Sequence, residues 1–312
     1  MSFTAEVKHE LLSINVEKDC EIMAELAAII RMNGSLQIIN KDIAIQLKIF
    51  QGELARKVYM LIKNKFNFNM EIRVKKRNHF SHQNIYELFL NPQEGLRKFL
   101  IDLGFLADDN NLIFKIKDEF LDKKEYKIAY LRGAFLGGGS INTPESEYHL
   151  EFRCEHESLA KDIIQVLEDI ELSAHIIEHH SKSVVYLKKY SDIITLLNII
   201  GAYKALLKME NAQVLKDVKN NVNRKVNAET ANLDKIIRAA MEQIEAITLI
   251  ENKKGLDSLT RSLQEIAICR KENPYLSLKE LGELFDPPLS KSGVNHRLRR
   301  IKKIADRLRR EK

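Results

Sequence analysis

The chain has 312 residues, 45% hydrophobic and 30% charged, which fits a folded protein of about two domains and excludes a disordered one. No apolar run approaches the ~18 residues of a membrane span, the charged start MSFTAEVKHELL lacks a signal core, and Cys20, Cys154 and Cys269 have neither disulfide nor metal spacing, as expected of reduced cytoplasmic thiols. The net charge of +6 is unevenly placed: residues 204–312 hold 24 Lys/Arg against 15 Asp/Glu, a net +9, and residues 1–203 carry −3, so a polyanion partner is expected at the C-terminal end.

In chain order, Thr4–Ser13 predicts a short leading helix with Val7, Leu11 and Leu12 on its apolar side. A helix around Asp19–Met32 follows, then a hairpin of SLQIIN and IAIQLKI. In the hairpin Ile43, Ile45, Leu47 and Ile49 alternate with the period of two that buries one strand face. A helix near Glu53–Lys65, strands EIRVKK and NIYELFL, and a helix around Gln93–Leu103 after Pro92 complete a first lobe. Arg73, Lys75 and Arg77 share one strand face, which reads either as a solvated surface or as a DNA contact.

The stretch Tyr126–Ile141, YKIAYLRGAFLGGGSI, carries Ala129, Gly133 and Gly137 four residues apart. Positions four apart share a helix face, and a face without side chains lets another helix come unusually close. Gly137-Gly138-Gly139 is expected to end this helix in left-handed C-cap geometry. An earlier copy stands 105 residues upstream: Ala24 matches Ala129, Leu26 matches Leu131, Ala28 matches Gly133, Gly34 matches Gly139 and Ser35 matches Ser140. Further on, Leu96–Phe105 resembles Ile193–Ala202. Two long copies indicate a duplicated domain with its small-faced helices packed together. The second lobe continues with strands Ser140–Asn142 and YHLEFRC, a helix Ser158–Ile170, strands Ala174–His179 and Ser183–Leu187, and a helix Ser191–Ile199 ending at Gly201. Each lobe reads α-β-β-α-β-β-α, an α+β layer.

Seven asparagines lie between Asn198 and Asn232, and NNVNRKVN reads as a broken connection because asparagine favours caps and turns. A helix resumes at Leu233, with Ile236, Ile237, Ala240, Ile244 and Ile247 on one side, and ends near Lys254-Gly255. Ser258–Arg270 is the next helix. Ser277 and Glu280 form a capping box for another, and Asp286-Pro287-Pro288 ends it. Leu289, Ser290 and Val294 then fit the staple, N-cap and fourth position of a last helix that buries Val294, Leu298, Ile301, Ala305 and Leu308. The DNA-facing set is Ser290, Lys291, Ser292, Asn295, His296, Arg299, Arg300 and Lys303. A recognition helix needs such a face, with base-edge donors near its start and cations further along. Asn295 suits an adenine edge and Arg299 a guanine edge. The plain alternative is a solvated basic face; the capped helix-turn-helix spacing favours recognition.

The segment LRGAFLGGGS resembles the LAGLIDADG motif of homing endonucleases in duplicate, and RGAFLGGGSINTPESEYHLEF resembles the WhiA family of bacterial regulators. The similarity runs from SFTAEVKHELL to the basic end. It implies an α+β fold: a duplicated two-lobed LAGLIDADG-like domain over 1–203 (lobes about 19–105 and 126–203), a helical linker over 204–231, and an all-α helix-turn-helix domain over 232–312. It also implies transcriptional control linked to cell division, chromosome segregation or sporulation. In nucleases of this fold an acid near the end of each motif helix binds a divalent metal; the corresponding positions here are Asn33 and Gly138, which offer no carboxylate. No catalytic residue, metal or cofactor is therefore expected. Glu145, Glu147 and Glu151 read as solvated strand acids, and His175, His179 and His180 as strand residues without zinc spacing. Expected partners are double-stranded DNA and, through the two lobes, a protein, with no membrane and a cytoplasmic, nucleoid-associated location. The rivals are an active metal-dependent LAGLIDADG endonuclease, distinguished by Mg²⁺-dependent cleavage, and an RNA-binding module.

Overall fold

A computed structural model describes residues 2–39, 42–76, 84–109, 111–179 and 182–310. The chain forms two compact units, Met1–Leu215 and Lys216–Lys312. In the first, a leading helix α1 (Phe3–Leu12) buries Phe3, Val7 and Leu11, and Ser2 caps it by accepting from the Ala5 amide. Lobe one is α2 (Asp19–Asn33), β1 (Gly34–Ile39), β2 (Asp42–Ile49), α3 (Gly52–Phe66), β3 (Glu71–Lys76), β4 (Asn84–Leu90) and α4 (Leu96–Asp102). Lobe two repeats it as α5 (Lys124–Gly138), β5 (Gly139–Ile141), β6 (Leu150–Cys154), α6 (Glu157–Glu168), β7 (His175–His179), β8 (Lys182–Leu187) and α7 (Tyr190–Ile200). Both bounds of α5 stand 105 residues after those of α2, so the duplication seen in the sequence is a duplication of structure.

Each lobe has an antiparallel four-stranded sheet, ordered β1-β2-β4-β3 in one and β5-β6-β8-β7 in the other. The predicted alternation decides which face is covered. Ile45 and Leu47 lie opposite Leu90 and Leu88 on the core face, while Gln46 and Lys48 lie opposite Phe89 and Glu87 on the other. In lobe two Leu150 and Phe152 face Leu187 and Val185 inward, and Glu151 faces Tyr186 outward.

The two small-faced helices meet. A methyl built on Gly133 of α5 would stand 2.2 Å from the Glu25 carbonyl oxygen of α2, and one on Gly137 would stand 2.6 Å from both Met32 Cβ and Asn33 Nδ2. Glycine is required there for close approach, as the spacing predicts. The expected left-handed C-cap is not formed: Gly137 and Gly138 lie inside the helix, and the capping residue Gly139 is extended, with φ −78° and ψ 147°. The chain runs straight from helix into strand, and a methyl on Gly139 would be 2.4 Å from the Phe135 ring. The lobes are also joined by a buried ionic group. Glu25 accepts from Lys57 Nζ at 2.7 Å and from Arg132 at 3.3 Å, and Arg132 Nε donates to the Ile200 carbonyl at 3.0 Å. Burial raises the Cys154 thiol to about 12, so it stays protonated.

One helix, α8 (Tyr203–Lys254), follows, and the boundary between the units falls within it. The broken connection read at NNVNRKVN is therefore corrected: Asn220, Asn221, Asn223 and Asn227 are all helical. No glycine or proline occurs from Tyr203 to Lys254, and each interior asparagine costs only about 0.7 kcal/mol relative to alanine. The start of α8 is held by Glu10, whose carboxylate accepts from the Lys204 and Ala205 amides at 2.7 and 3.1 Å, a favourable charge at a helix N-terminus. Gly255, at φ 73° and ψ 153°, ends it in a positive-φ conformation that favours glycine.

Candidate nucleic-acid interface

The second unit packs the end of α8 against α9 (Arg261–Glu272), α10 (Leu278–Glu283) and α11 (Lys291–Arg310) around Ile247, Ile250, Leu263, Ile266, Leu281 and Leu298. The helix expected from Ser258 begins instead at Arg261. Leu259 and Thr260 are extended, which turns the Leu259 side chain into the core before the helix starts.

The turn between α10 and α11 sets the interface. The capping box is complete: the Glu280 amide donates to Ser277 Oγ at 3.3 Å, and the Ser277 amide donates to the Glu280 carboxylate at 2.8 Å. α10 ends at Glu283, ahead of the prolines. The chain returns so closely that Leu289 N donates to the Gly282 carbonyl at 2.9 Å, and a methyl on Gly282 would stand 2.2 Å from the Leu289 oxygen. Ser290 then caps α11, its Oγ accepting from the Gly293 amide at 3.2 Å.

Arg270, which sequence reasoning passed over, braces the other turn. It is 2% exposed, and its guanidinium donates to the carbonyls of Leu276 at 2.7 Å and Asn273 at 3.3 Å. Burial lowers its pKa, and the two turn carbonyls supply the hydrogen bonds that a buried guanidinium needs. A lone arginine on an amphipathic helix gives no sequence sign of such a role.

α11 buries Val294, Leu298, Ile301, Ala305 and Leu308, as the spacing predicts. Ser290, Lys291, Ser292, His296, Arg299, Arg300 and Lys303 are exposed, and Asn295 is half-buried beside them. The helix period carries this face on through Arg307 and Arg310, which the sequence reading left out. Not every cation of α11 is open. Lys302 Nζ pairs with Glu242 of α8 at 2.6 Å, raising the lysine pKa and lowering that of the carboxyl. Arg297 reaches back toward the Ser262 carbonyl at 3.5 Å. Lys253 Nζ donates to the Leu308 carbonyl at 2.6 Å and Lys271 pairs with Glu251 at 2.6 Å, so α8 holds both α11 and α9. What remains is a helix with a dry apolar side and a wet cationic one, able to enter a DNA groove and neutralise phosphates.

The sheet faces of the lobes differ. Arg73 pairs with Glu71 at 3.2 Å and lies over the Phe89 ring, and Lys75 pairs with Glu87 at 2.9 Å; Arg77 lies outside the described residues. Glu151 is no free strand acid. Despite partial burial, which favours its neutral form, bonds from His149, Ser140 and Arg153 hold its carboxyl below the usual range. Glu145 and Glu147 are exposed. His175 and His179 lie in β7, where His175 packs on Tyr186; His180 lies outside the described residues. Asn33 and Gly138 are the last residues of α2 and α5. Asn33 Nδ2 is spent on the Ile29 carbonyl at 3.0 Å, and a methyl on Gly138 would stand 2.9 Å from the Arg153 oxygen. Among the described residues no three His, Cys, Asp or Glu side chains converge on a metal position.

Three family models match the chain: the WhiA N-terminal LAGLIDADG-like domain over residues 19–106, the WhiA LAGLIDADG-like domain over 127–219 and the WhiA C-terminal HTH domain over 222–305. A probable cell division protein WhiA of Halothermothrix orenii is 59% identical over the full length of both chains. A protein of the same description from Clostridium botulinum is 41% identical over 99% of each. Full-length DUF199/WhiA from Thermatoga maritima superposes with a TM-score of 0.62 at 28% identity, covering 98% of this chain and 99% of that one.

Proposed function

The chain belongs to the WhiA family, and from that premise we propose that it is a DNA-binding transcriptional regulator serving cell division, chromosome segregation or sporulation, with a two-lobed domain that does not cleave DNA. The observation that carries the reading is α11: a capped helix after a tight turn, its apolar side buried and Lys291, Arg299, Arg300 and Lys303 exposed. Asn295 and Arg299 read base edges, and the lysines and remaining arginines hold phosphates. The chain then works in the cytoplasm on the nucleoid, and the two lobes serve as a scaffold or as a platform for a protein partner.

The loss of cleavage is supported by Asn33 and Gly138. One is a neutral amide already engaged with Ile29, and the other has no side chain and little room for one. Duplex DNA incubated with Mg²⁺ or Mn²⁺ is expected to stay intact, and a reproducible cut abolished by a chelator overturns this half of the proposal. Asn33→Asp with Gly138→Asp is expected to give no turnover either. For the other half, sequencing the DNA that co-purifies from cells supplies the site, and titration of that duplex against a scrambled one measures preference. Equal affinity for both sinks the regulator reading, and stronger binding to structured RNA replaces it.

A further inference from the structure

The period of α8 keeps Val218, Val222, Val226, Leu233, Ile236 and Ala240 on one face. Its C-terminal end is covered: Ala240 is buried, and Ile247, next along the stripe, lies in the core of the second unit. Towards the N-terminus the same face is bare, with Val218, Val222, Val226 and Leu233 each more than half exposed. Helix propensity does not account for three valines at four-residue intervals, since valine is a poorer helix former than alanine or the charged residues around it.

We propose that this bare stripe is the interface of an antiparallel dimer, in which α8 pairs with α8 of a second copy. The sequence of α8 has a two-fold pattern about Arg224. Val222 and Val226 each stand two residues from it, Lys219 and Glu229 five, and Leu215 and Leu233 nine. In an antiparallel pair centred there, Val222 meets Val226, Leu215 meets Leu233 and Lys219 meets Glu229, each contact occurring twice, as an isologous interface requires. Glu229 is the charged residue within the apolar face, with Lys225 one turn before it. A parallel pair would set Glu229 on Glu229 and Lys219 on Lys219, whereas the antiparallel register gives each its opposite charge. The pairing does not depend on the DNA reading.

Sedimentation of the full chain tests it. The interface is short, so a shift from monomer to dimer is expected between about 1 and 100 µM. Val222→Asp should abolish that shift. Lys219→Glu and Glu229→Lys should each weaken the dimer by about tenfold although they change net charge in opposite directions, and the chain carrying both should recover wild-type association. All these positions are exposed, so helix content measured by circular dichroism should stay constant and separate loss of pairing from loss of folding. A chain that stays monomeric at the top concentration overturns the proposal and assigns the stripe to another protein or to another face of this chain. Charge variants that dimerise as well as wild type, or a double variant that stays weak, overturn the register and with it the proposal.

Discussion

A methyl added at Gly133 of α5 would meet a backbone oxygen at 2.2 Å, whereas one added at Gly293 of α11 would meet nothing nearer than Ser290 Oγ at 3.4 Å. Both helices were recognisable from one face, but the faces act in opposite ways. α5 works by having no side chains where α2 passes, so filling a position there breaks it. On the proposed reading α11 works by what projects into water, so truncation should silence it without unfolding anything. Charge differs as well: Arg73 and Lys75 in lobe one, though exposed, pair with Glu71 and Glu87, while among the described residues no acid pairs with Arg299, Arg300 or Lys303.

The largest expected effect is on stability. Gly133→Ala should destabilise the first unit by about 2–4 kcal/mol, because the clash with backbone outweighs the ~1 kcal/mol that alanine gains in a helix. Gly293→Ala should shift stability by no more than about 1 kcal/mol. Urea unfolding of both variants measures this, and equal losses would end the comparison. Next, Asn295→Ala and Arg299→Ala should each cost about 1–3 kcal/mol of discrimination between the cognate and a random duplex, with unfolding midpoints unchanged. If both variants keep the wild-type ratio, those side chains touch only backbone.

Salt dependence sharpens the charge contrast. Arg300→Gln and Lys303→Gln should each flatten the slope of log affinity against log salt by about 0.9. Arg73→Gln and Lys75→Gln should leave it unchanged, and a matching drop from these would mean that the lobe sheet also grips DNA. The smallest effect concerns the cap of α10. Bonds from the Ser277 backbone and then its hydroxyl hold the Glu280 carboxyl below the ordinary glutamate range. A carboxyl depressed in the folded state contributes stability above its unfolded pKa and loses it as pH falls through the folded pKa. Melting the full chain between about pH 5 and about pH 2 should therefore show a slightly smaller acid loss for Glu280→Gln than for wild type; an identical loss would show that the box carries no such linkage.

Much of this was legible in residues taken locally. The 105-residue offset located both small-faced helices, and the alternation of Ile45, Leu47 and Ile49 identified the buried sheet face. Ser277, Glu280, Ser290 and Val294 marked the helix-turn-helix because caps and staples are made within one turn of chain. The pairing of Arg73 and Lys75 was not legible, since whether a strand cation is free depends on the acid opposite or beside it in the register. Arg270 was missed for the same reason, its partners being carbonyls of a turn rather than an acid at helical spacing.

The sequence by itself determined the duplicated α+β plan, the charge split and the two faces of α11, because periodicity, capping and composition act over a few residues. Only the tertiary structure decided what Gly137-Gly138-Gly139 is for: not a left-handed stop but room for Met32, Asn33 and the Phe135 ring. It also decided that the asparagine-rich stretch stays helical, where weak local preferences compete with an uninterrupted backbone ladder and a carboxylate from α1 at its start. Close approach and long-range partners are properties of two segments at once, and no single stretch of sequence contains both.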